Sequence, residues 1–144
     1  MTITLEQATT VVNGALAHGK ALDCMPLTVA VLDPGGHLVS FARQDGSGIA
    51  RPQIATGKAW GALGMGFGTR EHARRGESMP LFITALAVAF EGRMVPVPGG
   101  VLIRDADGTL VGAVGISGDT SERDEECAVE GIRKAGLVAD TGAE

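Results

Sequence analysis

Two stretches of this chain share one hydrophobic plan. Residues 28–32 run Thr-Val-Ala-Val-Leu, Asp33-Pro34-Gly35-Gly36 interrupts them, and residues 37–42 resume the run. Residues 101–103, Asp105-Ala106-Asp107-Gly108 and residues 110–116 repeat that order. In both copies a turn aspartate precedes glycine and then Leu-Val. Pro34 sets φ for a first central turn position, and glycine accepts positive φ. Each stretch therefore reads as a β-hairpin. Helical spacing surrounds them. Leu5, Ala8, Val12, Ala15, Leu16 and Leu22 mark one face of a helix over 4–22, opened by a Thr4/Gln7 capping box. Pro52, then Ile54, Ala55, Ala59, Ala62 and Leu63, predict a second helix. Its glycines, Gly57, Gly61 and Gly64, each weaken it by roughly 1 kcal/mol relative to alanine and call for a packing or ligand reason. Residues 64–68 read as a flexible link before a short helix capped by Thr69. Residues 81–90, apolar except for Thr84, read as a helix opened by Pro80 and buried on most faces, with a central strand as the alternative and a partner subunit as another way to cover it. Pro96 and Pro98 restrict 94–97 to an edge strand or loop. A Ser121/Asp124 capping pattern opens a last helix over 122–135, and the final residues are expected to fray. The pattern predicts one sheet packed against helices.

A chain of 144 residues suits a single domain, residues 1–144. The net charge of −5 opposes a nucleic-acid footprint, which needs a surplus of lysine and arginine. The longest apolar run, ten residues, is too short to span a bilayer, and no charged and apolar leader precedes the first helix, so a cytoplasmic location without membrane partners is expected. Cys24 and Cys127 form no C-x-x-C, which favours reduced thiols over a zinc knuckle. Twenty-two glycines exceed the need of hairpin turns, pointing to close backbone contacts. No G-x-S-x-G elbow, His-x-x-x-His pair or P-loop is present.

Five spaced motifs carry a family resemblance: Val29-Ala-Val-Leu-Asp-Pro-Gly-Gly36, Phe41-Ala-Arg-Gln-Asp-Gly46, Lys58-Ala59, Pro98-Gly-Gly-Val101, and Gly112-Ala-Val-Gly-Ile-Ser-Gly118 with Asp124-Glu-Glu-Cys-Ala128. In that order, over residues 4–136, the chain resembles the GlcG/HbpS haem-binding family, which also includes the C-terminal domain of PduO-type proteins. The resemblance implies a profilin-like α/β (α+β) fold, with about five antiparallel strands and helices on the faces of the sheet. It also implies homo-oligomers, a small-molecule ligand, and haem or iron binding in some members, in accessory roles in catabolic or redox-sensing pathways. A shared fold does not by itself fix the activity.

The residues offer three sets of chemistry. Haem needs an apolar slot and an axial side chain; the histidines are His18 near the end of the first helix, His37 in the first turn, and His72 in Arg70-Glu71-His72-Ala73-Arg74-Arg75. There the arginines would pair with propionates, or the segment is a solvated helix. Glu122 and Glu125, at i and i+3 on one helix face, would hold a hard or iron cation or simply favour the helix dipole. The polar and backbone-exposing members of the family-like motifs are Arg43, Asp45, Lys58, Gly99, Gly100, Ser117 and Asp124. They read as a carboxylate clamp, which would make the protein an enzyme or sensor for a small organic acid, with Asp45 or Asp124 as general base beside Lys58. Buried Arg43–Asp124 or Asp45–Lys58 ion pairs would account for the same residues without a ligand. A third reading is a structural assembly subunit.

Overall fold

A computed structural model describes residues 1–143. Five helices and five strands follow one another as α1 (Leu5–Ala21), β1 (Thr28–Leu32), β2 (Leu38–Arg43), α2 (Arg51–Met65), α3 (Thr69–Ser78), α4 (Pro80–Ala89), β3 (Gly100–Arg104), β4 (Leu110–Ser117), α5 (Ser121–Lys134) and β5 (Val138–Asp140). The strands form one antiparallel sheet in the order β2-β1-β4-β3-β5. The α+β architecture of five antiparallel strands and packed helices is the one expected from the sequence.

Both hairpins close in the same way. Asp33 Oδ1 accepts the Gly35 and His37 amides, and Asp105 Oδ1 accepts those of Asp107 and Thr109. Gly36 and Gly108 each sit at φ 84°, where a side chain would be strained. Thr4 caps α1 in a complete capping box with Gln7. The two ribbons then join through β1 and β4 at the centre of the sheet.

Side chains alternate across the sheet and divide the interior. Val29, Val31, Val101, Ile103, Val114 and Ile116 point to one face, where they pack with Val11, Val12, Ala15, Cys127, Ala128 and Ile132 of the crossed helices α1 and α5. Leu32, Leu102 and Ala113 point to the other, against Ala59 and Ala62 of α2. Gly115 lies on that second face, and a Cβ there would overlap the Ala55 carbonyl oxygen.

Several expectations are corrected. Residues 64–68 are not a flexible link: α2 runs to Met65 and ends on Gly66 in the left-handed region. Thr69 is the first residue of α3 rather than its cap, and α5 is capped by Thr120. Residues 94–97 are a loop, one of the two forms expected of them. The apolar 81–90 segment is a helix as predicted, yet only Ile83 is buried, while Leu81 is 86% and Val88 76% exposed. The end of the chain does not fray over 138–142, because Val138–Asp140 pairs with β3, Arg104 Nε donates to Asp140, and Gly142 packs on the Gly68 carbonyl. Residue 144, part of the same expectation, lies outside the described residues. The glycines of α2 serve packing: Gly57 and Gly61 face Val95, Arg93 and Met94, and Gly64 faces Phe90.

Candidate functional site

Lys58 occupies the same face of α2 as Ala55, Ala59 and Ala62, so its stem runs into the protein. Its Nζ donates to the Ile116 carbonyl at 2.9 Å and to Asp124 Oδ2 at 3.3 Å. Asp124 Oδ1 accepts the Asp119 amide at 3.0 Å. Both side chains are buried, which pushes the ammonium pKa down and the carboxyl pKa up, while each charge holds the other ionised. Gly99 and Gly100 wrap the pair closely, since a Cβ at Gly99 would stand 2.7 Å from Lys58 Nζ. Thr69 Oγ1 accepts the Gly100 amide, and Arg51 Nη1 donates to Ser117 Oγ.

Lys58, Asp124, Gly99, Gly100 and Ser117 therefore meet, but as a closed seam joining α2, β4 and α5. Arg43 and Asp45 do not join it. Arg43 is exposed and donates to the Ser47 carbonyl at 2.7 Å, and Asp45 lines a separate groove with Lys20 and Cys24. The ion pair is Lys58–Asp124, not Arg43–Asp124 or Asp45–Lys58, because α2 and α5 approach across the end of β4. A lysine set among buried alanines was the legible sign of it.

The three histidines have different surroundings. His37 is 80% exposed in its turn and sits 3.1 Å from Asp33 Oδ1. His72 is fully buried rather than on a solvated helix, and neither ring nitrogen has a hydrogen-bond partner among the described residues. Burial lowers its pKa to about 4, with Arg75 adding to the effect. The arginines beside it are engaged within the protein. Arg74 and Arg75 bind Glu71, pulling that carboxylate to about 2, and Arg70 chelates Glu125. Glu125 is thus taken by Arg70 instead of forming a cation pair with Glu122, and no group of three metal-ligating acids, histidines or cysteines occurs among the described residues.

His18 combines access with orientation. It is a quarter exposed, and its Nε2 lies 2.7 Å from Glu126 Oε2 across the α1–α5 crossing. That bond fixes the ring, and Nδ1 makes no hydrogen bond among the described residues. Gly14, Ala17 and Ala21 share its helix face and line a hollow of about 150 Å³, bordered by Glu130 and Lys134 of α5. Gly14 and Gly131 let the two helices come close enough to form it. Glu126 was missed from the sequence because its partner is 108 residues away.

Together these features define a small α+β protein with a closed polar seam joining α2 to α5 across the end of β4 and an accessible, carboxylate-oriented histidine at the α1–α5 crossing. The chain belongs to the HbpS-like family of haem-degrading proteins, whose model matches residues 3–133. Among solved structures, Klebsiella pneumoniae protein ORFY is similar at 26% identity and a TM-score of 0.81, over 94% of this chain and 92% of that one. HbpS matches at 26% identity and a TM-score of 0.78, over 92% and 89%. A PduOC:haem complex shares the fold, with 23% identity, a TM-score of 0.85, and 99% and 100% coverage. Comparison with curated proteins gives no match. Haem is thus the cofactor that family membership brings into consideration. No helix among the described residues is long and apolar enough to cross a membrane.

Proposed function

We propose that this protein binds haem on the α1–α5 face, with His18 as the axial ligand, and acts as an accessory in catabolic or redox-sensing metabolism. The observation that carries this reading is the His18–Glu126 pair, seen within a chain that belongs to a haem-degrading family. A carboxylate bonded to one ring nitrogen fixes the tautomer and raises the basicity of the other, the arrangement that metal-ligating histidines use. Gly14, Ala17 and Ala21 leave a flat apolar surface beside the ring, and Lys134 supplies a cation for a propionate. Bound haem would supply the iron redox chemistry; the protein supplies the ligand, the shelf and the charge. Titration of wild-type, His18→Ala, His37→Ala and His72→Ala proteins with haemin tests it. The expected result is a saturable Soret shift lost only in His18→Ala; an unchanged shift in that variant removes the assignment.

The protein also self-associates in this reading. Helix α4 has no charged residue in Pro80–Ala89 and buries only Ile83, leaving Leu81 and Phe82 exposed in its first turn and Val88 near its end. Such a face is costly to leave in water, and a second copy of the same helix matches it in kind. Both cysteines are free, as suits a reducing cytoplasm.

A further inference from the structure

The groove on the far side of His18 contains a feature that haem binding does not use. Helix α1 ends with Asp23 at φ 57°, a left-handed conformation that turns the chain back so that the Cys24 amide bonds the Gly19 carbonyl at 2.9 Å. This packs Cys24 against the core cluster that contains Cys127 of α5, close enough for each thiol to influence the ionisation of the other. Gly19 makes the approach feasible: a Cβ there would collide with Leu27 and sit 3.6 Å from Cys127 Sγ. Cys127 is wholly buried, whereas Cys24 borders an open groove of about 410 Å³ lined by Lys20, Pro26, Gln44 and Asp45. One thiol is reachable and the other lies in the core that it packs against.

We propose that Cys24 and Cys127 form a reversible redox pair, closed to a disulfide by a hydroperoxide that enters through this groove. The Cys24 thiolate attacks a peroxide oxygen and breaks the O–O bond; with hydrogen peroxide, one water leaves and Cys24 becomes a sulfenic acid. The Cys127 sulfur then attacks the Cys24 sulfur, the S–S bond forms, and a second water departs with the Cys127 proton. Two thiols lose two electrons, which reduce the peroxide to two waters. Burial, and then neighbouring charges, raise both thiol pKa values, that of Cys127 to about 12, so little thiolate exists at neutral pH and the pair reacts slowly. The disulfide would tie the α1–β1 connection to α5, one residue away from Glu126 and so beside the His18 pair.

The test treats the full chain with hydrogen peroxide, alkylates remaining thiols after denaturation, and maps peptides by mass spectrometry without reduction. The expected product is an intramolecular peptide pair joining Cys24 to Cys127, about 2 Da lighter than the sum of its thiol forms and reopened by dithiothreitol. Cys24→Ser should leave Cys127 fully alkylatable after the same treatment, and Cys127→Ala should abolish the link while Cys24 still oxidises. Recovery of Cys24 as sulfinic acid or as a disulfide between chains, with Cys127 free in the wild type, would overturn the proposal.

Discussion

The two faces of the sheet solve the packing problem in opposite ways. Toward α1 and α5 the strands present valine and isoleucine, and helices crossing at Gly14 and Gly131 cover them with ordinary aliphatic packing. Toward α2 they present Ala113, Gly115, Gly100 and Leu102, and the helix lies so close that its backbone touches the strands. At Gly100 and Gly115 the second face has no space for a side chain, and at the end of β4 the buried Lys58–Asp124 pair bridges α2 to α5. The difference shows why family-like motifs need not mark a ligand. Lys58, Gly99, Gly100, Ser117 and Asp124 of those motifs form a closed seam, while the accessible histidine lies outside it at the α1–α5 crossing.

The largest expected effect breaks the seam. Asp124→Ala leaves the Lys58 ammonium buried without its anion, and a loss of about 3–5 kcal/mol in urea denaturation is expected. Replacing both partners with apolar residues of similar size should recover much of that loss; no recovery would mean that the backbone bonds to Ile116 and Asp119, rather than the charges, hold the seam.

Acid titration probes the buried histidine at the start of α3. His72 has its pKa lowered from 6.5 to about 4, so between those values the unfolded chain binds a proton that the folded chain refuses. Stability therefore falls as the pH drops through that window, by about 3 kcal/mol once both pKa values are passed. Glu71 acts in a lower window: its folded pKa is about 2 against an ordinary 4.5, so its contribution is present above 4.5 and lost as the pH falls toward 2. His72→Phe should flatten the first window and leave the second, as read by melting temperature against pH.

Gly115→Ala sharpens the contrast between the faces. Its methyl overlaps the Ala55 carbonyl and forces α2 away from the sheet, at about 2 kcal/mol, whereas the same enlargement at Gly108, which has nothing within 4 Å, meets only the cost of its positive φ. Thermal unfolding of the two variants separates steric from conformational cost. The smallest stability change belongs to α4, where Val88→Asp should alter unfolding by no more than about 0.5 kcal/mol. Light scattering should nevertheless show that variant as a monomer and the wild type as a larger species.

Local chemistry was legible in the sequence. The Thr4/Gln7 box, both aspartate-led hairpins and the Pro80 start of α4 follow from short-range rules and came out close to their observed bounds, while the five-stranded antiparallel sheet was implied by the family resemblance. What was hidden depends on contacts distant in the chain. The choice of Asp124 for Lys58, the burial of His72, the pairing of β5 with β3 and the His18–Glu126 bond each join residues from separate elements. Exposure of α4 was hidden for a different reason, because a uniformly apolar helix reads the same whether its own chain or another covers it.

Hydrogen–deuterium exchange with and without haemin tests most directly where the ligand sits. The account expects added protection over 14–21 in α1 and 126–134 in α5, with the α2 seam around Lys58 and Gly99–Gly100 unchanged. Protection centred on the seam, with α1 and α5 unaffected, would contradict it.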